Sequence, residues 1–298
     1  MGDREVASLV LNMSVKFVAE VSSNHNRDLS RALAFIDVAA DIGCDAVKFQ
    51  LFKIDELFAP EILLRSEKHR RRRQWELPVS MLPALAERCR QRDIQFACTP
   101  FYLPAVQELR PFVAFYKIAS YELLWHDLIR ACAATGVPVV LATGMATPDE
   151  IGRAIGAARE AGCADLTVLH CVSGYPTPVA EANLAAIESL RQFNVTAGWS
   201  DHTVSPAVVL RAIHRWGASM IEFHLDLEGK GEEYQGGHCW LPQQIQPVIQ
   251  MVRTGELADG TGEKKPAPAE LPDRDWRADP ADGLRPMKFI RQTWNPAE

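Results

Sequence analysis

A chain of 298 residues, 47% hydrophobic and 23% charged, is long enough to bury a sizeable core and fits one large α/β domain. Its formal net charge of −6 excludes the basic surplus of a nucleic-acid-binding protein, so an anionic ligand has to be held by local positive charge. Seven scattered cysteines with no C-x-x-C pair argue for free thiols in a reducing cytoplasm, not a disulfide scaffold or a zinc ribbon.

The first stretch, MGDREVASLVLNMSVKF, lacks the charged start and long apolar core of a signal peptide, and nothing later approaches a membrane-spanning length, so the expected location is cytoplasmic, with no membrane partner. β-Branched runs then alternate with amphipathic ones. A strand is expected at 15–20, a helix over 30–43 and a second strand at 45–50. The basic run HRRRR follows at 69–73 and fits a solvated face as well as an anion site. A helix over 81–92 leads to strands at 95–99, 115–119 and 137–143. Next come a helix over 149–162, strands at 166–171 and 195–200, a helix over 206–217, a strand at 220–225 and a last helix over 241–255. Gly43, Gly136, Gly162 and Gly217 stand just past helix-like segments, where stop signals belong.

Eight alternating units predict a parallel sheet closed into a (β/α)8 TIM barrel over residues 1–255. A doubly wound sheet would show a glycine-rich first turn, and VAEVSSNHN has none. From 256 onward proline, glycine and charge dominate, so 256–298 reads as an irregular, extended C-terminal tail without a second domain.

In such a barrel the chemistry collects at the C-terminal ends of the strands. Those ends carry Glu20, with Ser23, Asn24 and His25 beyond it; Lys48 and Gln50; Thr99; Lys117, Ser120 and Glu122; Thr143; His170 with Tyr175 beyond; Ser200, Asp201 and His202; and Glu222, His224 and Asp226. Two lysines inside apolar runs are unusual, since lysine is rarely buried unpaired. Either Lys48 and Lys117 pair with Glu20 or Glu122, or they hold a phosphate or carboxylate, with Thr99, Ser120 and Ser200 as neutral donors. His202 and His224 end adjacent strands, close enough for two imidazoles to meet one divalent ion such as Mn²⁺, with Zn²⁺ or Fe²⁺ also open.

The stretches AEVSSNHNRD, AVKFQ, CTPF, YKIASYE, LATGMAT, LHCVSGYPTP, WSDHT and IEFHL together resemble the motif string of the sialic acid synthase family, over roughly residues 15–265. The resemblance implies a metal-dependent barrel that condenses phosphoenolpyruvate with an open-chain sugar aldehyde, giving a 2-keto-3-deoxy sugar acid and phosphate. It puts phosphoenolpyruvate on Lys48, Thr99, Lys117, Ser120 and Ser200, with Thr143 replacing a hydroxyl missing at Ala142. It makes Glu20 and Glu122 catalytic, gives the acceptor sugar Asn24, Gln50, Tyr175 and Asp201, and makes His202 and His224 the metal ligands. Mn²⁺ is the expected ion, with Mg²⁺ or Co²⁺ open, and a homodimer the expected assembly. Two departures stand out. The family's Pro-Gly-Pro-Asp stretch is here EEYQGGHCWLP (232–242), and its C-terminal antifreeze-like domain finds no match in 256–298. The alternatives are the same condensation with another acceptor, a Schiff-base aldolase, and a non-catalytic sugar-binding homologue.

Overall fold

The computed structural model describes residues 14–295, so the signal-peptide reading of residues 1–13 lies outside the described residues. Eight parallel strands alternate with helices: β1 (Lys16–Ser22), α1 (Leu29–Asp41), β2 (Ala46–Leu51), α2 (Leu82–Gln91), β3 (Gln95–Pro100), α3 (Leu103–Leu109), β4 (Phe115–Ile118), α4 (His126–Ala133), β5 (Val139–Ala142), α5 (Pro148–Glu160), β6 (Leu166–Cys171), α6 (Ala186–Leu190), β7 (Thr196–Asp201), α7 (Pro206–His214), β8 (Met220–Leu225) and α8 (Pro242–Asp259). Each strand pairs with the next, and β1 pairs with β8 from Lys16↔Met220 to Glu20↔His224, which closes the barrel. The expected (β/α)8 architecture is the one observed. A short extra strand, β9 (Cys239–Trp240), pairs with the end of β8.

Local chemistry accounts for the helix starts. Asp28 caps α1 by accepting from the Arg31 backbone N–H, and Ala32, Phe35, Ile36 and Ala39 form its buried stripe. Thr147 and Glu150 close a reciprocal capping box on α5, with Pro148 in the first turn.

Strand side chains alternate between two faces, and the two faces bury different things. Outward residues such as Phe17, Val47, Phe49, Tyr116, Leu141, Trp199, Ile221 and Phe223 pack in the main core with the helices. Inward, Val18, Ala46, Ala97, Phe115, Val140, Leu169 and Met220 form a separate apolar plug. Gly198 lies in this layer. A β-carbon there would stand 2.5 Å from the Met220 carbonyl oxygen and 2.6 Å from Leu169 Cδ2. Because the first neighbour is backbone, Gly198→Ala is expected to lower the unfolding free energy by about 1–3 kcal/mol. Urea titration of the variant against wild type measures this.

The chain divides into two compact units, Met1–Thr254 and Gly255–Glu298. The second is not extended throughout. It has helical turns at Pro268–Glu270 and Arg274–Trp276 and a helix at Lys288–Thr293. Asp279 accepts from the backbone of Ala281 and Lys288, and Arg291 forks onto Asp282 with both contacts at 2.9 Å. No helix among the described residues is long and apolar enough to cross a membrane.

Candidate active site

Two residues beyond each member of the apolar plug, the inward position becomes polar or small: Val18 leads to Glu20, Ala46 to Lys48, Ala97 to Thr99, Phe115 to Lys117, Val140 to Ala142, Leu169 to Cys171 and Met220 to Glu222. Gly198 leads in the same way to Ser200. Strand parity thus builds a second layer towards the C-terminal mouth, and the layer below it is dry. Glu20, Lys48, Thr99, Lys117, Ser200 and Glu222 are all buried.

Both lysines in this layer are paired. Lys48 Nζ contacts Glu20 Oε2, lies 3.2 Å from Thr99 Oγ1, and is 3.8 Å from Glu222 Oε2. Lys117 Nζ is 3.3 Å from Glu222 Oε1, and the Ser200 hydroxyl donates to the same oxygen at 3.0 Å. The Gln50 amide donates to Glu20 Oε1 at 2.6 Å. Burial penalises the Lys48 ammonium, but Glu20 and then Glu222 outweigh it and raise its pKa. Burial likewise penalises the Glu222 carboxylate, yet Lys117 and Lys48 hold it well below the ordinary range. Glu222 is therefore the counter-ion shared by the two cations. From sequence alone Glu222 stands on the rim without a role, although its spacing of two from His224 puts both on one face of β8.

Glu122 differs. It sits in the turn after β4 with no hydrogen-bond partner for Oε2 among the described residues, and burial, opposed by the Lys117 charge, pushes its pKa up to about 7. Ser120, in the same turn, accepts from the Gly144 backbone N–H at 3.0 Å and faces Cys171 Sγ at 3.6 Å.

Above this layer lies an arc of rings. His202 and His224 have centroids 5.4 Å apart, and Tyr175 lies over His202 at 4.2 Å. His202 Nδ1 is 2.8 Å from the Val172 carbonyl, and His224 Nδ1 is 2.9 Å from Glu233 Oε2, so each ring has Nε2 left. Burial lowers the His202 pKa. His224 is raised to about 9, because hydrogen bonds to Cys239 and Glu233 outweigh its burial. A cation between the two imidazoles would have to displace the proton that this shift keeps on His224, after which both Nε2 lone pairs are donors. Glu233 and His238, both from the loop between β8 and β9, went unassigned from sequence because loops carry no periodicity.

Three expected site residues face elsewhere. Asp201 is fully buried on the outward face of β7. Its carboxylate accepts from Trp199 Nε1 (3.0 Å), Trp240 Nε1 (2.9 Å), the Thr203 hydroxyl (2.7 Å) and the Val204 backbone (3.1 Å), so it is a structural hub and not an acceptor ligand. Thr143 is one residue past the inward Ala142, and its hydroxyl donates to the Leu169 carbonyl at 3.0 Å, so it does not replace the missing hydroxyl. The Asn24 amide is spent on the Leu225 carbonyl at 3.0 Å, bracing the β1 loop against β8.

The basic run is occupied within its own loop. Arg71 pairs with Glu67, Arg73 with Asp55, Arg70 with the Leu63 carbonyl, and Arg72 lies over Phe58 and Trp75. An open groove of about 840 Å³, lined by residues of α4 and α5 such as Arg130, Asp149 and Arg153, contains none of the strand-end groups.

Comparison with known proteins bears on this arrangement. The NeuB family description matches residues 35–264. The N,N'-diacetyllegionaminic acid synthase of Campylobacter jejuni is 33% identical, over 85% of this chain and 80% of that protein. The pseudaminic acid synthase of Helicobacter pylori is 31% identical, over 87% and 79%. The crystal structure of the N-acetylneuraminic acid synthetase of Leptospira borgpetersenii, in complex with citrate, superposes with a TM-score of 0.76 at 29% identity, covering 90% of this chain and 93% of that one. With a closed barrel, an inward ring of paired lysines and carboxylates, and a match across most of its length, the chain belongs to the NeuB family.

Proposed function

We propose that the protein is a phosphoenolpyruvate-condensing synthase acting on an open-chain aldose, with a nonulosonic-type acid and phosphate as products. The buried Lys48–Glu222–Lys117 arrangement at the barrel mouth carries this reading. An ammonium has three donors, and Lys117 makes one ion pair at 3.3 Å, so a phosphate or carboxylate entering from the mouth meets two cations in a low-dielectric site. The names of the relatives support the same reaction class.

C3 of phosphoenolpyruvate attacks the aldehyde carbon, and the aldehyde oxygen takes up a proton. Water adds at C2 and gives up one proton; the new hydroxyl then passes its remaining proton to the departing phosphate as the C2–O bond to phosphate breaks, leaving the 2-keto group. Lys48 and Lys117 hold the anionic substrate and stabilise the departing phosphate. Thr99, Ser120 and Ser200 add neutral hydroxyls, and Gln50 and Tyr175 face the acceptor. His202 and His224 would hold a divalent ion such as Mn²⁺, which when bound supplies Lewis-acid polarisation of the aldehyde. Glu20, tied to Lys48 and Gln50, orients the charged layer.

Glu122 is the group poised to exchange a proton near neutrality. Glu122→Gln is expected to abolish turnover while phosphoenolpyruvate still binds, and the wild-type rate is expected to bend near pH 7. Linkage gives a second readout. Its folded pKa lies above the ordinary carboxylate value of 4.5, so the stabilisation is full below that value and fades as pH rises through about 7. The Gln variant should lose this dependence, as thermal midpoints across that window will show.

A Schiff-base aldolase needs an amine that sheds its proton readily, and Lys48 is shifted the other way. The deciding experiment is phosphate release from phosphoenolpyruvate with Mn²⁺ and a panel of hexoses, N-acylhexosamines and dideoxy sugars. Phosphoenolpyruvate binding without release from any sugar would favour a non-catalytic homologue.

A further inference from the structure

We propose that the loop between β8 and β9 builds a second metal centre, for a thiophilic ion such as Zn²⁺, from His224, Glu233, His238 and Cys239, and that its occupancy excludes an ion from the His202–His224 pair. The four donor atoms lie within 4.8 Å of one another, and the other three surround Glu233 Oε2. Glu233 Oε2 is 2.9 Å from His224 Nδ1, 3.6 Å from His238 Nε2 and 3.9 Å from Cys239 Sγ. Tetrahedral donors at bond lengths of about 2.0 Å for N and O and about 2.3 Å for S stand roughly 3.3–3.6 Å apart, so small adjustments admit an ion.

The frame is rigid. Ser23 holds the other oxygen, Glu233 Oε1, through its hydroxyl at 2.8 Å and its backbone N–H at 3.3 Å. Asp226 pins the loop by accepting from the backbone of Glu228, Gly229 and Gly231, and a β-carbon on Gly231 would come within 2.2 Å of that carboxylate. Strand β9 sets Cys239 beside His224 in register. His238 and Cys239 are buried, and His238 Nδ1 has no hydrogen-bond partner among the described residues. Two imidazoles, a carboxylate and a thiolate suit a borderline ion better than Mg²⁺.

Exclusion follows from imidazole chemistry. A neutral ring has one lone pair. Binding through Nδ1 to the loop centre puts the proton on Nε2 and removes it from the pair with His202. When the ion binds, the Cys239 thiol and His224 Nδ1 each give up a proton to solvent.

The inference touches the proposed function only through the His202–His224 ion site, and its test does not need turnover. Chelator-stripped protein is titrated with Co²⁺ and followed by absorbance and calorimetry. One equivalent should bind with a thiolate-to-cobalt charge-transfer band. Cys239→Ser should abolish that band, His238→Ala and Glu233→Gln should each weaken binding at least 10-fold, and His202→Ala should leave band and affinity in place. A wild-type titration without the band, or unchanged binding in Cys239→Ser and His238→Ala, overturns the loop centre. Mn²⁺ binding that persists at saturating Zn²⁺ overturns the exclusion. If wild type binds Co²⁺ as described and never binds Mn²⁺, the loop centre stands and the Mn²⁺ assignment of the proposed function falls.

Discussion

Glu222→Gln is expected to lower the unfolding free energy by about 3–5 kcal/mol and to make stability depend on added phosphate. Glutamine keeps the side chain's shape and can still accept from Ser200. What it removes is the charge between Lys117 at 3.3 Å and Lys48 at 3.8 Å. Glu20 remains on Lys48, so two buried cations are left with one close counter-ion. Inorganic phosphate should then supply the missing charge, and a ligand that binds only the folded state stabilises it by mass action. Thermal unfolding across a phosphate series should show a larger upward shift in the variant than in wild type. A variant as stable as wild type and indifferent to phosphate would mean that the two lysines do not form an anion site.

Asp201→Ala is expected to cost about 2–6 kcal/mol, at roughly 1–3 kcal/mol for each of the two buried indole donors left unpaired. Trp199 and Trp240 are 0% and 1% exposed, and each directs its indole N–H at this carboxylate. Val204 adds to the cost. It is β-branched yet sits at φ 51°, and its N–H is held by Asp201 Oδ2. Asp201→Asn, which keeps an acceptor oxygen, should fall between alanine and wild type in urea unfolding. A stable Asp201→Ala protein impaired only in acceptor KM would return the residue to the acceptor site.

Strand parity separates the polar side chains that line the barrel interior from those that do not. Lys48, Thr99, Lys117 and Ser200 stand an even number of residues from apolar plug positions, and all face the barrel interior. Thr143 and Asp201 look equally polar at their strand ends, but each is one residue out of phase and points into the outer layer. Glu222 was in phase and visible, yet its role as shared counter-ion depends on how far two lysines reach across the barrel. Glu233 and His238 had no phase to betray them.

The sequence by itself determined that eight strands alternate with helices, and which face of each strand is polar, because burial of apolar side chains enforces a period of two in strands and near 3.6 in helices. Only the tertiary structure decided which charges neutralise which. Closing β1 onto β8 brings Glu20 into register with His224, residues far apart in the chain, and Coulomb energy depends on that through-space distance. It also decided that the loop after β8 folds back on His224, since the hydrogen bond from Ser23 to Glu233, 210 residues apart in the chain, exists only once the barrel has closed.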